Sequence, residues 1–130
     1  MTQDDPRPMR RPIVLVVDDD ALTLEVTSAL LVDEGFRVIT ADGSRRAIES
    51  LRHGTLVDAI LCDVDLQDSM DGFALKGWAR ANRRGVPVLL TTAFPTGPSD
   101  PLASQDEIIP KPYSIDRIVM RLRKAIADGS

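Results

Sequence analysis

Residues 13–20 read Ile-Val-Leu-Val-Val-Asp-Asp-Asp. Five apolar, mostly β-branched residues in a row match a short strand that is buried on both faces, as in the centre of a parallel sheet. The run then stops abruptly in three acids. A buried strand that delivers charge at its carboxyl end is the pattern on which the rest of the chain is read.

Downstream, helical and strand patterns alternate. From Leu22 to Glu34 the apolar residues Leu22, Val26, Ala29 and Leu30 fall at a helical period, and Gly35 stops the helix. Phe36–Thr40 reads as a second strand, and Ser44–Arg52 as a helix ending at His53-Gly54. Val57–Cys62 is a third strand, again closed by an acid, Asp63. Asp71 caps a helix running to about Ala81. Val86–Thr91 is a fourth strand. The segment Phe94–Gln105 contains Pro95, Pro98 and Pro101 and can hold only a short or irregular helix. Glu107–Pro110 is a brief fifth strand. Ser114 caps a last helix with Ile115, Ile118, Val119, Leu122 and Ile126 on its inner side. Five strands separated by helix-length crossovers give an α/β, doubly wound parallel sheet with helices on both faces.

Composition narrows the function. A chain of 130 residues is one domain with short tails. Residues 1–11 form a flexible, polar arm, 12–127 the domain, and 128–130 a tail. The sequence has no apolar run long enough for a membrane helix, so no membrane contact is expected, and the start has no apolar signal region. One cysteine and one histidine exclude an internal disulfide and a zinc cage. Sixteen basic against 20 acidic residues give a net charge of −4, which argues against direct nucleic-acid binding while leaving room for a local basic patch. The expected setting is the cytoplasm.

In doubly wound sheets ligands bind at the carboxyl ends of the strands, where strand order reverses. The polar residues that end these strands are Asp18 and Asp19, Asp63, Thr91 and Thr92, and Lys111. In the order 2-1-3-4-5 the first and third strands are central neighbours, so carboxylates, hydroxyl and ammonium share one rim. Close carboxylates repel unless a cation intervenes. An all-oxygen donor set suits Mg²⁺, which shares its shell with waters and phosphate. Lys111 supplies a point charge and Thr92 a hydroxyl donor. Asp63 with an ordinary carboxylate pKa would be ionised at neutral pH and need no base to act as a nucleophile. The set fits an aspartyl-phosphate site, because phosphoryl transfer asks mainly for positioning and charge stabilisation.

At these residues the chain resembles the receiver domain of bacterial two-component response regulators, a flavodoxin-like fold of the CheY type. The resemblance rests on Leu15-Val16-Val17-Asp18-Asp19-Asp20, on Asp63 with Met70-Asp71-Gly72, on Leu89-Leu90-Thr91-Thr92-Ala93, and on Lys111-Pro112-Tyr113, in order over about residues 12–127. It implies that Asp63 is the phosphoacceptor. It also implies that Asp19 binds Mg²⁺ directly, that Asp18 helps through water, and that Asp65 lends its backbone carbonyl. Thr92 and Lys111 would engage the phosphoryl group, and the Lys111–Pro112 bond would be cis. The implied function is that of a stand-alone receiver in a phosphorelay. Its phosphodonor would be a histidine kinase or histidine phosphotransfer protein, its output contact with a protein target, and a homodimer is compatible with it. Apart from self-phosphorylation and autodephosphorylation it would not be an enzyme.

The sequence departs from the family pattern in three places. The loop 64–70, Val-Asp-Leu-Gln-Asp-Ser-Met, lacks the common proline and is one residue longer, as in some receivers attached to hybrid sensor kinases. Ile108 stands where many receivers carry an aromatic residue, and the prolines after Phe94 disturb the usual output face. Phe94 itself is expected to cover the phosphoryl group partly. Two other readings compete: a pseudo-receiver adaptor that works without phosphorylation, and a phosphatase built on Asp63 and Asp65. The second needs its motif on a first strand and a cap domain. Cys62 reads as a buried core thiol, His53 as a helix-end residue, and Phe73 and Trp78 as core.

Overall fold

The computed structural model describes residues 11–68, 70–92, 108–111 and 114–129. The elements are β1 (Ile13–Val17), α1 (Ala21–Asp33), β2 (Arg37–Ala41), α2 (Ser44–Arg52), β3 (Ala59–Asp63), α3 (Gly72–Asn82), β4 (Val88–Thr92), β5 (Ile108–Pro110) and α4 (Ile115–Gly129). The strands form one parallel sheet in the order β2-β1-β3-β4-β5. Strand and helix ends differ from the expected ones by a residue or two. Residues 1–10 of the expected arm (1–11), the proline-rich segment with Phe94, and the Lys111–Pro112 bond lie outside the described residues.

The two-residue period of the strands divides the core in two. Leu15, Val17, Ile60, Cys62, Val88 and Leu90 face α2 and α3, where Ala47, Leu51, Leu75 and Ala79 are buried with them. Phe73 and Trp78 pack on this cluster, as does Ile108. Val14, Val16, Ala59, Leu61, Leu89 and Ile109 face the other way, against Leu31, Phe36, Ile118 and Leu122. Both faces of β1, β3 and β4 are therefore dry, the condition under which a parallel sheet is stable.

Gly35, at φ +99°, takes the left-handed conformation just past α1 and turns the chain into β2. There Arg123 of α4 stacks on the Phe36 ring, 4.6 Å from its centroid, and donates to the Glu34 carbonyl at 2.7 Å. These contacts fasten α4 to the end of α1.

The helix read from residues 22–34 is present as α1, and the structure decides which of its faces is buried. The residues Leu22, Val26 and Leu30 do not face the core. They are exposed at 66%, 47% and 41%, while Thr27 and Leu31 are buried and Leu24 packs on the core. Helix α1 is apolar on two faces, so its periodicity alone could not choose which one turns inward.

Candidate phosphoacceptor site

The register of the three inner strands assembles the site. Val17 of β1 lies beside Cys62 of β3, and Asp63 beside Thr91 of β4. One step past Val17, Asp18 thus reaches the level of Asp63. Thr92 pairs with Pro110 of β5, and the Lys111 N–H donates to the Thr92 carbonyl at 2.7 Å. Every sequence-derived site residue leaves its strand on this one edge.

Asp18 and Asp63 are buried, Asp19 is exposed, and one carboxylate oxygen from each lies within 4.8 Å of the others. The Lys111 ammonium sits 3.4 Å from Asp18 Oδ2 and 3.6 Å from Asp63 Oδ2. The other oxygens are held by backbone. Asp18 Oδ1 accepts from the Asp20 N–H at 2.9 Å, and Asp63 Oδ1 from the Asp65 N–H at 3.2 Å. Each buried acid is thus oriented by one amide and one shared cation, which fixes rotamers that charge repulsion would otherwise scatter. Asp20 turns away from the pocket and caps α1, accepting from the Thr23 N–H at 3.2 Å and from its hydroxyl.

Burial pushes the Asp63 carboxyl above the usual carboxylate range, and the charges of Asp18 and Asp65 add to the effect. The Asp65 amide and Lys111 oppose it without cancelling it. This corrects the assumption of an ordinary carboxylate. Burial also pushes the neighbouring Cys62 thiol far up, reinforced by the charge of Asp63, so it takes no part as a nucleophile.

Three carboxylates against one ammonium leave two negative charges in excess at a half-buried spot. A hard divalent cation with oxygen ligands neutralises that excess, and the donor chemistry fits Mg²⁺.

Two features of the site were not legible beforehand. Gly72, read only as a helix start, is packed against the acceptor itself: a Cβ there would lie 2.6 Å from the Asp63 carbonyl oxygen and 2.7 Å from the Val64 Cα. Its N–H donates to the Val64 carbonyl at 2.9 Å. Thr91 is buried, and its carbonyl accepts from the Val64 N–H at 2.9 Å, which ties the segment after Asp63 to β4. His53 is exposed at the end of α2, as expected.

Comparison with known proteins agrees with this geometry. The chain is 33% identical over 117 residues to the transcriptional regulatory protein ZraR of Escherichia coli, covering 88% of this chain and 26% of that protein. It is 37% identical over 114 residues to the probable transcriptional regulatory protein TcrX of Mycobacterium tuberculosis, covering 85% and 47%. The chain therefore spans between about a quarter and about half the length of these relatives. Its fold is similar to the crystal structure of a response regulator receiver protein from Sinorhizobium medicae, with a TM-score of 0.85 at 21% identity over 94% of this chain and 99% of that one. Residues 14–123 match the family model of the response regulator receiver domain, and so the chain belongs to that family, a signalling module of two-component systems.

Proposed function

We propose that residues 12–127 act as a phosphorylation-driven switch. Asp63 accepts a phosphoryl group from a histidine kinase or a histidine phosphotransfer protein. The observation that carries this reading is the convergence of Asp18, Asp19 and Asp63 on one point, with Lys111 bridging the two buried members.

Asp19 and Asp63, with the Asp65 carbonyl and Asp18 through water, would hold Mg²⁺. When bound, the ion supplies positive charge against the entering phosphoryl oxygens. The chain does the rest. A carboxylate oxygen of Asp63 attacks phosphorus, the bond from phosphorus to the donor imidazole nitrogen breaks, and the nitrogen keeps the electron pair. Lys111, already within ion-pair reach of Asp63, follows the charge onto the phosphoryl oxygens. Thr92, at the end of β4, offers its hydroxyl from the adjoining strand. The phosphorylated form then favours the loop arrangement in which these contacts are made, and partner affinity shifts with that population.

Helix α1 supports a protein donor. Its exposed stripe Leu22, Val26, Leu30 rises about 12 Å along the helix and begins three residues after Asp19. A donor helix lying on it would bring its phosphohistidine over the acid pocket.

Ile108 packs on the core beside β4. Output through an aromatic residue at that position is therefore not available, and the readout runs through protein contact elsewhere. We take the module to work in the cytoplasm, without nucleic acid of its own; among the described residues no helix is long and apolar enough to cross a membrane. ZraR and TcrX are transcriptional regulators considerably longer than this chain. A stand-alone receiver and the receiver part of a longer regulator would share this acceptor chemistry.

Calorimetric titration with MgCl₂ tests the reading. We expect one binding event that weakens at least about tenfold in Asp19→Asn, a loss of about 1.4 kcal/mol. A folded wild type that takes up no Mg²⁺, and is not phosphorylated by a small acyl phosphate, would remove the basis for it.

A further inference from the structure

We infer that Asp68 is a positioning residue for the acceptor site: it ties the long loop after Asp63 to the first turn of α2, and that tie sets the loop's conformation around Asp63 and Asp65. The inference rests on the proposed acceptor role of Asp63 for its consequence, and on independent geometry for its cause.

The tie has three parts. The Ser44 hydroxyl donates to Asp68 Oδ1 at 2.7 Å. The Arg45 N–H donates to Asp68 Oδ2 at 3.0 Å. Gly43, the residue that opens α2, makes no cap of its own, and a Cβ there would stand 2.6 Å from Asp68 Oδ2. Helix α2 is therefore capped from outside, by a side chain 23 and 24 residues further along the chain. An acid at a helix N-terminus is favoured by the unpaired N–H groups and the helix dipole. The same contact restrains the loop. Its other anchors are the Asp65 N–H on Asp63, the buried side chain of Leu66, and the Gly72 N–H on Val64. Among the described residues between Leu66 and Asp71, Asp68 reaches across to another element.

A tie that only stabilised α2 would change melting temperature and nothing at Asp63. Three variants separate the two roles. Asp68→Ala removes the acceptor. Gly43→Ala leaves Asp68 in place and displaces its carboxylate, the end of a flexible side chain, with no backbone strain because Gly43 is extended at φ 178°. Asp68→Asn keeps an oxygen for the Arg45 amide and an NH₂ group for Ser44.

Two readouts are taken on each. The first is amide hydrogen exchange of residues 64–68, which does not depend on phosphorylation. The second is the rate at which a small acyl phosphate labels Asp63 in saturating Mg²⁺. We expect exchange to rise about five- to tenfold in Asp68→Ala and Gly43→Ala, labelling to fall about fivefold in both, and Asp68→Asn to stay within about twofold of wild type. Asp68→Ala and Gly43→Ala combined should be no worse than either alone. Unchanged exchange in residues 64–68 overturns the inference even if the wild type is never labelled, an outcome that would count separately against the acceptor role. Faster exchange with an unchanged labelling rate in a wild type that is labelled also overturns it, leaving Asp68 as a helix cap.

Discussion

Helices α1 and α4 cover the same face of the sheet, yet they treat their apolar residues in opposite ways. In α4 the expected stripe is the buried one: Ile118 and Leu122 are fully enclosed, and Ile115, Val119 and Ile126 pack against the same cluster. In α1 the residues Leu22, Val26 and Leu30, whose spacing marked the helix, face out, and Leu24, Thr27 and Leu31 face in. A surface helix ordinarily shows one apolar face. The difference is that α4 turns its main apolar stripe inward and leaves Met120 outside, whereas α1, which starts at the rim of the acid pocket, keeps a whole stripe outside, the face proposed above for a protein donor.

The strongest way to break this comparison is to truncate one residue from each class. Leu122→Ala and Leu31→Ala leave cavities in a closed cluster and should each cost about 3 kcal/mol in denaturant unfolding. Leu30→Ala, on the same helix as Leu31 and one residue away, should cost less than about 1 kcal/mol. Equal losses at positions 30 and 31 would mean that α1 is rotated from the orientation described.

The acid pocket gives a second, smaller effect of opposite sign. Asp63 is raised from 3.8 by burial, so the folded state favours its protonated form. The stability this contributes is present below the unfolded pKa and is lost as pH rises through the folded value. Asp63→Asn removes the penalty. Without Mg²⁺ at neutral pH it should be more stable than the wild type and melt at a higher temperature. That gain should shrink as pH falls to 3.8 and below. Adding Mg²⁺ should reverse the order, because the ion binds the folded wild type preferentially. A lower Tm for Asp63→Asn at neutral pH in chelator would contradict the assigned direction.

Much of this was legible in the chain, for a physical reason. Strands buried on both faces announce themselves as unbroken apolar runs, and a parallel sheet places their carboxyl ends together. Asp18, Asp63 and Lys111 could thus be grouped without knowing a single distance. What depends on contacts across the chain left no local trace. The outward turn of Leu22, Val26 and Leu30 is decided by how α1 packs on the sheet and is held near its end by Arg123 and Phe36. The need for glycine at position 72 comes from the Asp63 backbone pressing on the start of α3. The raised pKa of Asp63 reflects burial that its immediate neighbours in sequence do not reveal.

A last comparison tests the function of the outer stripe. Replacing Leu22, Val26 and Leu30 together by Ser should lower stability modestly, by about 1–2 kcal/mol, chiefly through weaker helix propensity and partial burial. Labelling of Asp63 by a small acyl phosphate should stay within about twofold of wild type, because that donor touches only the pocket. Transfer from a phosphorylated histidine protein should fall at least about tenfold through lost apolar contact. Parallel loss with both donors would show that the stripe supports the pocket and is no docking face.

The central claim is that Asp63 takes a phosphoryl group with the help of a cation held by its acidic neighbours. Intact-mass measurement after incubation with a small acyl phosphate and Mg²⁺ tests it most directly. The account predicts a gain of one phosphoryl group, located on Asp63 and absent both in chelator and in Asp63→Asn. A folded, Mg²⁺-supplied protein that gains no mass, or a gain that survives in Asp63→Asn, would contradict it.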